Sequence, residues 1–139
     1  MATDSKTKSN VGIWITVTDP TRARDFYSNV LGWTCAAKGR LSAVEGITET
    51  YYFAKGSKIN GCFCVMDRAR IIPTFDRSNA TKFGPHAVFE VDDVTTTLNL
   101  VDKHGGETCV EKTSMGLDMG FIARFVDTEG NLMGLYSCK

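Results

Sequence analysis

One relationship limits what this chain can fold into more than any other: its second half repeats its first. Val17 and Val91, Asp19 and Asp93, Gly32 and Gly106, and Gly56 and Gly130 all stand at one offset, 74 residues. Each half opens on an alternating apolar run, "VGIWITV" (11–17) and "HAVFEV" (86–91), which predicts a strand. A helix follows in each. Asp19 suits the N-cap and Pro20 the first helical position, while Ala23, Phe26, Tyr27, Val30 and Leu31 keep the 3.6-residue period and Gly32 ends it. "DDVTTTLNLVDKHGG" (92–106) repeats the pattern. Extended runs then come near 33–40, 48–55 and 60–66, and again near 107–111, 119–126 and 131–137. A repeat of this period marks a unit that cannot bury its own sheet alone. The expected fold is therefore α+β, two βαβββ modules forming a curved mixed sheet around one cavity. The modules are placed at 11–66 and 84–139, with a connector at 67–83 and a disordered N-terminus at 1–10, all in one compact domain.

Bulk properties narrow the function classes. In 139 residues, 16 Lys and Arg balance 16 Asp and Glu, so nothing in the net charge attracts nucleic acid or an anionic membrane. No apolar run is long enough to span a bilayer. The polar start "MATDSKTKSN" shows no secretory pattern, and a cytoplasmic location is expected. That location makes the acceptor pattern Asn79-Ala80-Thr81 irrelevant. The five cysteines follow no framework spacing and read as reduced thiols; Cys62 and Cys64, on one strand face, read as small buried hydrophobes. No phosphate-binding glycine loop, dinucleotide fingerprint or redox Cys pair occurs.

The stretches "VTDPTRARDFYSNVLGW", "VDDVTTTLNLVDKHGGE" and "FVDTEGNLMGLY" together resemble the vicinal oxygen chelate superfamily. That superfamily includes glyoxalase I, extradiol dioxygenases, fosfomycin-resistance transferases and bleomycin-resistance proteins. The resemblance runs from Val11 to Tyr136 and departs in the last hairpin, where Thr128 replaces the usual proline. It implies a homodimer.

Strand parity sorts the side chains. Ile13, Ile15 and Val17 should cover the first helix, leaving Gly12, Trp14 and Thr16 toward the concavity. Ala87, Phe89 and Val91 should cover the second, leaving His86, Val88 and Glu90 inward. In the last strand Met133 and Leu135 go to the helix and Leu132, Gly134 and Tyr136 face in. Gly61 and Phe63 are expected inward by analogy, as are Thr50 and Tyr52 with Ile122 and Arg124.

In metal-dependent members of the family, four inward positions carry His, Gln or Glu. The resemblance maps them here to Gly12, Gly61, His86 and Gly134. One imidazole does not hold a divalent ion against water. No metal and no other cofactor is therefore expected, and the glycines are read as widening the hollow.

His86 is the leading acid or base, with an inert remnant as the rival reading. Glu90 and Arg124 read either as a structural ion pair at the rim or as a polar-substrate clamp, Arg124 holding a carboxylate, carbonyl or enolate oxygen. Arg40 and Asp118 are candidates at the cavity mouth. Trp14, Tyr52, Phe63 and Tyr136 suggest a flat aromatic ligand, with Thr16, Ile122 and Leu132 lining the same surface. His104 reads as a helix-end dipole partner and Glu129 as a turn residue.

The preferred reading is a metal-independent enzyme that isomerises, cyclises or rearranges an aromatic or polycyclic small molecule, in specialised metabolism. A sequestering protein of bleomycin-resistance type is the alternative. A metal-dependent lyase or dioxygenase comes third.

Overall fold

The computed structural model describes residues 10–79 and 81–139. Most of the N-terminal segment expected to be disordered, and Ala80 of the Asn79-Ala80-Thr81 pattern, lie outside the described residues. The chain divides after Ile71 into two compact units.

The first unit contains β1 (Ile13–Val17), α1 (Pro20–Leu31), β2 (Thr34–Cys35), β3 (Arg40–Leu41), β4 (Glu49–Lys55) and β5 (Ile59–Val65), then a short 3-10 turn at Arg68–Arg70. Its sheet runs β1-β5-β4-β2, with β3 paired to β4. β1 and β5 are parallel; the other pairs are antiparallel. The second unit contains β6 (Val88–Glu90), α2 (Val94–Lys103), β7 (Glu107–Ser114), β8 (Phe121–Val126) and β9 (Leu132–Ser137). Its sheet runs β6-β9-β8-β7, again with one parallel pair, β6 and β9. This is the α+β arrangement of two βαβββ modules that the repeat predicts. Among the described residues, no helix is long and apolar enough to cross a membrane.

The local signals act as their chemistry requires. The Asp19 carboxylate accepts the Arg22 N–H at 3.1 Å, and Asp93 accepts that of Thr95 at 2.9 Å, so both helices start on an aspartate cap. Gly32 ends α1 in the left-handed region at φ 71°. At the end of α2, His104 occupies the cap and Gly105 takes the left-handed turn, at φ 97°. The matching position is therefore Gly105, one residue before the Gly106 that the fixed offset selects, because α2 is shorter than α1. At the β7–β8 tip, two residues with side chains, Leu117 and Asp118, take φ of 51° and 56°.

The two cores differ in chemistry. Behind the first sheet, Trp33 stacks between Tyr27 and Phe53 with both centroid distances at 4.4 Å, and Phe63 packs on Tyr27 and Phe53 at 5.7 and 4.8 Å. Such pairs each add about 1 kcal/mol to the burial of the rings. The second unit buries Val94, Leu98, Val101, Phe89, Phe125 and Leu135.

That aromatic core corrects one part of the parity reading. Phe63 and Gly61 were expected on the face away from the helix. In register they pair with Ile15 and Ile13, and Phe63 is fully buried against Tyr27 of α1. They lie on the helix-covered face. A β-carbon on Gly61 would stand 1.9 Å from the Ile13 carbonyl oxygen. This glycine permits close backbone approach and widens no hollow.

Candidate functional site

The far face of the first sheet, away from α1, is built from two cross-strand rows. One is Trp14, Cys62 and Tyr52; the other is Thr16, Cys64, Thr50 and Arg40. Of the residues expected there from this half, Trp14, Thr16, Tyr52 and Arg40 share the face, and Phe63 does not. Trp14 and Tyr52 keep 65% and 62% of their surface exposed although both are aromatic. Cys62 lies between them, its sulfur 3.7 Å from that of Cys64 in the next row, and both thiols are buried. Burial, reinforced by the neighbouring Cys62, pushes the Cys64 thiol up to about 12, so it stays neutral and unreactive near pH 7.

The far face of the second sheet carries the titratable groups. Val88, Gly134, Arg124 and Val110 form one cross-strand row, and Glu90, Tyr136 and Ile122 form the next. Leu132 belongs to this face by register with Val126, but it is buried, and its N–H donates to the Thr74 hydroxyl at 3.0 Å. Asp118 lies outside both rows, on the exposed β7–β8 tip.

His86 stands two residues before β6. Its Nδ1 is 2.8 Å from the Gly84 carbonyl oxygen. A carbonyl can only accept, so Nδ1 carries the proton in the neutral ring and Nε2 keeps its lone pair. The ring fits beside Gly134: a β-carbon there would lie 3.2 Å from Nε2 and Cδ2, and 2.9 Å from Val88 Cγ2. Gly134 thus makes the space that the imidazole uses.

Arg124 does not pair with Glu90. Among the described residues, Arg124 has no carboxylate within ion-pair distance; its guanidinium lies over the Phe83 ring, 3.9 Å from the centroid. Phe83 in turn meets His86 edge-to-face at 5.3 Å. Sequence reasoning missed Phe83 because it sits in the connector, where no periodicity assigns a side chain a direction. The only signal was an aromatic three residues ahead of the candidate base, in "FGPH". Glu90 is exposed, beside Tyr136. The Tyr136 hydroxyl donates to the Met119 carbonyl at 2.9 Å; hydrogen bonding with Cys138, then burial, then the Cys138 and Glu90 charges raise its pKa. It is a proton donor rather than a phenolate.

The four family metal positions do not fit a resident divalent ion held by these residues. Gly12, Gly61 and Gly134 offer no side-chain donor, and Gly61 lies on the helix side of its sheet. Among the described residues, no three His, Cys, Asp or Glu side chains converge. His104 and Glu129 lie apart from these faces by role: His104 caps α2, and Glu129 is buried in the β8–β9 hairpin, where its N–H donates to Asp127 at 2.8 Å.

A family model described as Glyoxalase/Bleomycin resistance protein/Dioxygenase superfamily matches residues 11–135. A protein of Didymella fabae, named as a glyoxylase-like domain-containing protein, is 31% identical over 120 residues, covering 86% of each chain. The solved glyoxalase family protein of Enterococcus faecalis superposes with a TM-score of 0.68 at 15% identity, over 94% of this chain and 98% of that one. TnmS3, described as an antibiotic binding protein from Streptomyces sp. CB03234, does so with a TM-score of 0.63 at 19% identity, over 93% and 95%. At these identities the solved structures speak for the fold.

Proposed function

The chain belongs to the Glyoxalase/Bleomycin resistance protein/Dioxygenase superfamily, and we propose that it is a metal-independent member that rearranges an aromatic small molecule by proton transfer. The observation that carries this reading is the His86 tautomer. With Nδ1–H directed at the Gly84 carbonyl, Nε2 is available as a base on the far face of its sheet. In the proposed step, Nε2 takes a proton from a carbon acid. Arg124 steadies the charge on the resulting enolate oxygen, and the imidazolium returns the proton to another atom of the same molecule. Atoms and electrons balance without a co-reactant. Tyr136 stays protonated on the same face, its one hydroxyl proton held by the Met119 carbonyl.

The test is a product scan by chromatography and mass spectrometry over planar aromatic ketones and phenols, using protein dialysed against EDTA. Conversion of one compound to an isomer of equal mass is expected. His86→Ala should lower that rate by about a hundredfold or more. Loss of activity in EDTA with rescue by one divalent ion would sink the reading.

A second reading, sequestration without chemistry, draws support from the exposed Trp14 and Tyr52 on one face and from the likeness to an antibiotic-binding protein. A compound that binds and is always recovered unchanged, with the same affinity in His86→Ala, would favour it.

A further inference from the structure

We propose that Cys62 and Cys64 form a two-coordinate site for a soft monovalent metal ion, copper(I), on the far face of the first sheet. Their sulfurs stand 3.7 Å apart in mutual hydrogen-bond contact, and neither is in a disulfide. Among the described residues, neither thiol has another hydrogen-bond partner. The site goes beyond the His86 reading and rests on nothing in it, since His86 belongs to the other sheet.

The strand sets the geometry. Residues two apart on one strand have Cα atoms about 6.6 Å apart, with their side chains standing side by side. That is close to the upper limit of about 6.8 Å for a disulfide, whose β-carbons must also approach to about 3.8 Å. The pair is therefore badly placed to close into a bond and well placed to open around an ion. A metal about 2.3 Å from each sulfur holds the two at most about 4.6 Å apart, so a rotamer adjustment of less than about 1 Å admits it.

The neighbours decide the class of ion. The cross-strand rows around the thiols hold Trp14 and Tyr52, then Thr16, Thr50 and Arg40, with no carboxylate and no imidazole. A divalent cation finds there neither oxygen charge nor the third and fourth donors it needs. Two thiolates suffice for copper(I), which is soft and accepts a pair of sulfurs. The bound unit carries one negative charge. Arg40, in the row of Cys64, has no carboxylate within ion-pair distance among the described residues and supplies the answering charge on that face. Trp14 and Tyr52 flank Cys62 and are mostly exposed, so the ion enters by displacing rings and leaves the backbone in place. Binding is an exchange: two S–H bonds break, two S–Cu bonds form, both protons pass to water, and copper stays monovalent. The raised pKa of Cys64 weakens that exchange as pH falls without preventing it.

The experiment titrates the reduced full chain, without oxygen, against the coloured copper(I)–bicinchoninate complex. One equivalent of copper(I) per chain should pass to the protein, with about two protons released per ion. Tryptophan fluorescence should be quenched, because Trp14 adjoins Cys62. The apparent affinity should climb between about pH 6 and 8, by up to about a hundredfold per unit. Cys62→Ser and Cys64→Ser should each lower it about tenfold or more. Combining Cys35→Ser, Cys109→Ser and Cys138→Ser should leave uptake unchanged. Thermal melts report whether each serine variant is folded; where one is not, the proton count and the fluorescence of the unaltered chain still decide. Failure to take copper(I) from the chelator, release of one proton per ion, displacement by equimolar zinc(II), or undiminished uptake in both single variants would each overturn the proposal.

Discussion

The Nε2 edge of His86 lies 3.2 Å from the point where a β-carbon on Gly134 would stand, although 48 residues separate the two in sequence. The glycine sits in the middle of β9, where it contributes no packing of its own, and the parallel partner β6 brings the imidazole over it. A strand glycine normally costs stability. Here its missing side chain is the room in which the His86 imidazole is held.

Gly134→Ala should consequently act on the ring before it acts on the fold. The added methyl meets Val88 Cγ2 and the end of a rotatable imidazole, so we expect a stability loss of about 1 kcal/mol. Any proton-transfer activity should fall further than that loss accounts for. Urea unfolding together with the His86 ring-proton resonances checks this; an unmoved ring would refute it.

The two other family-position glycines should respond oppositely to the same change. At Gly61 the new carbon would strike backbone, the Ile13 carbonyl, which cannot yield without parting β1 from β5. Gly61→Ala should cost about 3 kcal/mol or more. At Gly12 the nearest atom is Asn60 Oδ1 at 3.7 Å, so Gly12→Ala should stay within about 0.5 kcal/mol. Similar midpoints for the two variants would contradict the assignment of Gly61 to the helix side.

Phe63 and Tyr52 offer a paired test of which aromatics belong to the core. Phe63→Ala empties a fully buried site between Tyr27 and Phe53 and should cost about 3 to 5 kcal/mol. Tyr52→Ala removes a mostly exposed ring and should change stability by about 0.5 kcal/mol or less, while weakening aromatic ligands that dock on that face. Thermal melts and ligand titrations of both variants separate the roles.

The thiols set a pH dependence of definite sign. Cys64 is held neutral in the fold, its pKa raised from an ordinary 9.0 to about 12. Below pH 9 the thiol is protonated folded and unfolded alike, and its contribution to stability is complete. From about pH 9 toward 12 the unfolded chain loses this proton and the folded one keeps it, so stability falls as pH rises. The urea midpoint should decline between pH 8 and 10.5, less steeply in Cys64→Ala. At pH 8, iodoacetamide should label the exposed Cys138 first and reach Cys62 and Cys64 only on unfolding, which peptide mass spectrometry will read.

Much of the architecture was legible because its signals are local. Asp19 and Asp93 announce helix starts, Gly32 a stop, and the Ile15–Val17 alternation a face. The inner parity of β5 was not legible for a physical reason. In "INGCFCV" residues 61–64 are buried on both faces and none is charged, so the only mark of the side away from the helix is Asn60, near the strand's start. Only the pairing of Phe63 with Ile15 decides it. The Glu90–Arg124 pairing failed on similar grounds. Parity places both on one face, yet the nearest partner for Arg124 is a ring supplied by a connector whose path no periodic pattern encodes. Parity placed the guanidinium of Arg124 on the far sheet face and named His86 beside it, but no pattern placed Phe83 between them.

The parallel pairing of β1 with β5 also has a kinetic side. β4 and β5 form a tight hairpin whose turn contains Gly56, and each can find the other without closing a long loop. β1 must instead wait for a partner 48 residues downstream, Gly61 for Ile13, before any of its ladder exists. The strand that begins the unit is thus the last to be zipped in. Pulsed hydrogen exchange during refolding should find Tyr51–Phe53 amides protected while those of Trp14–Thr16 are still open.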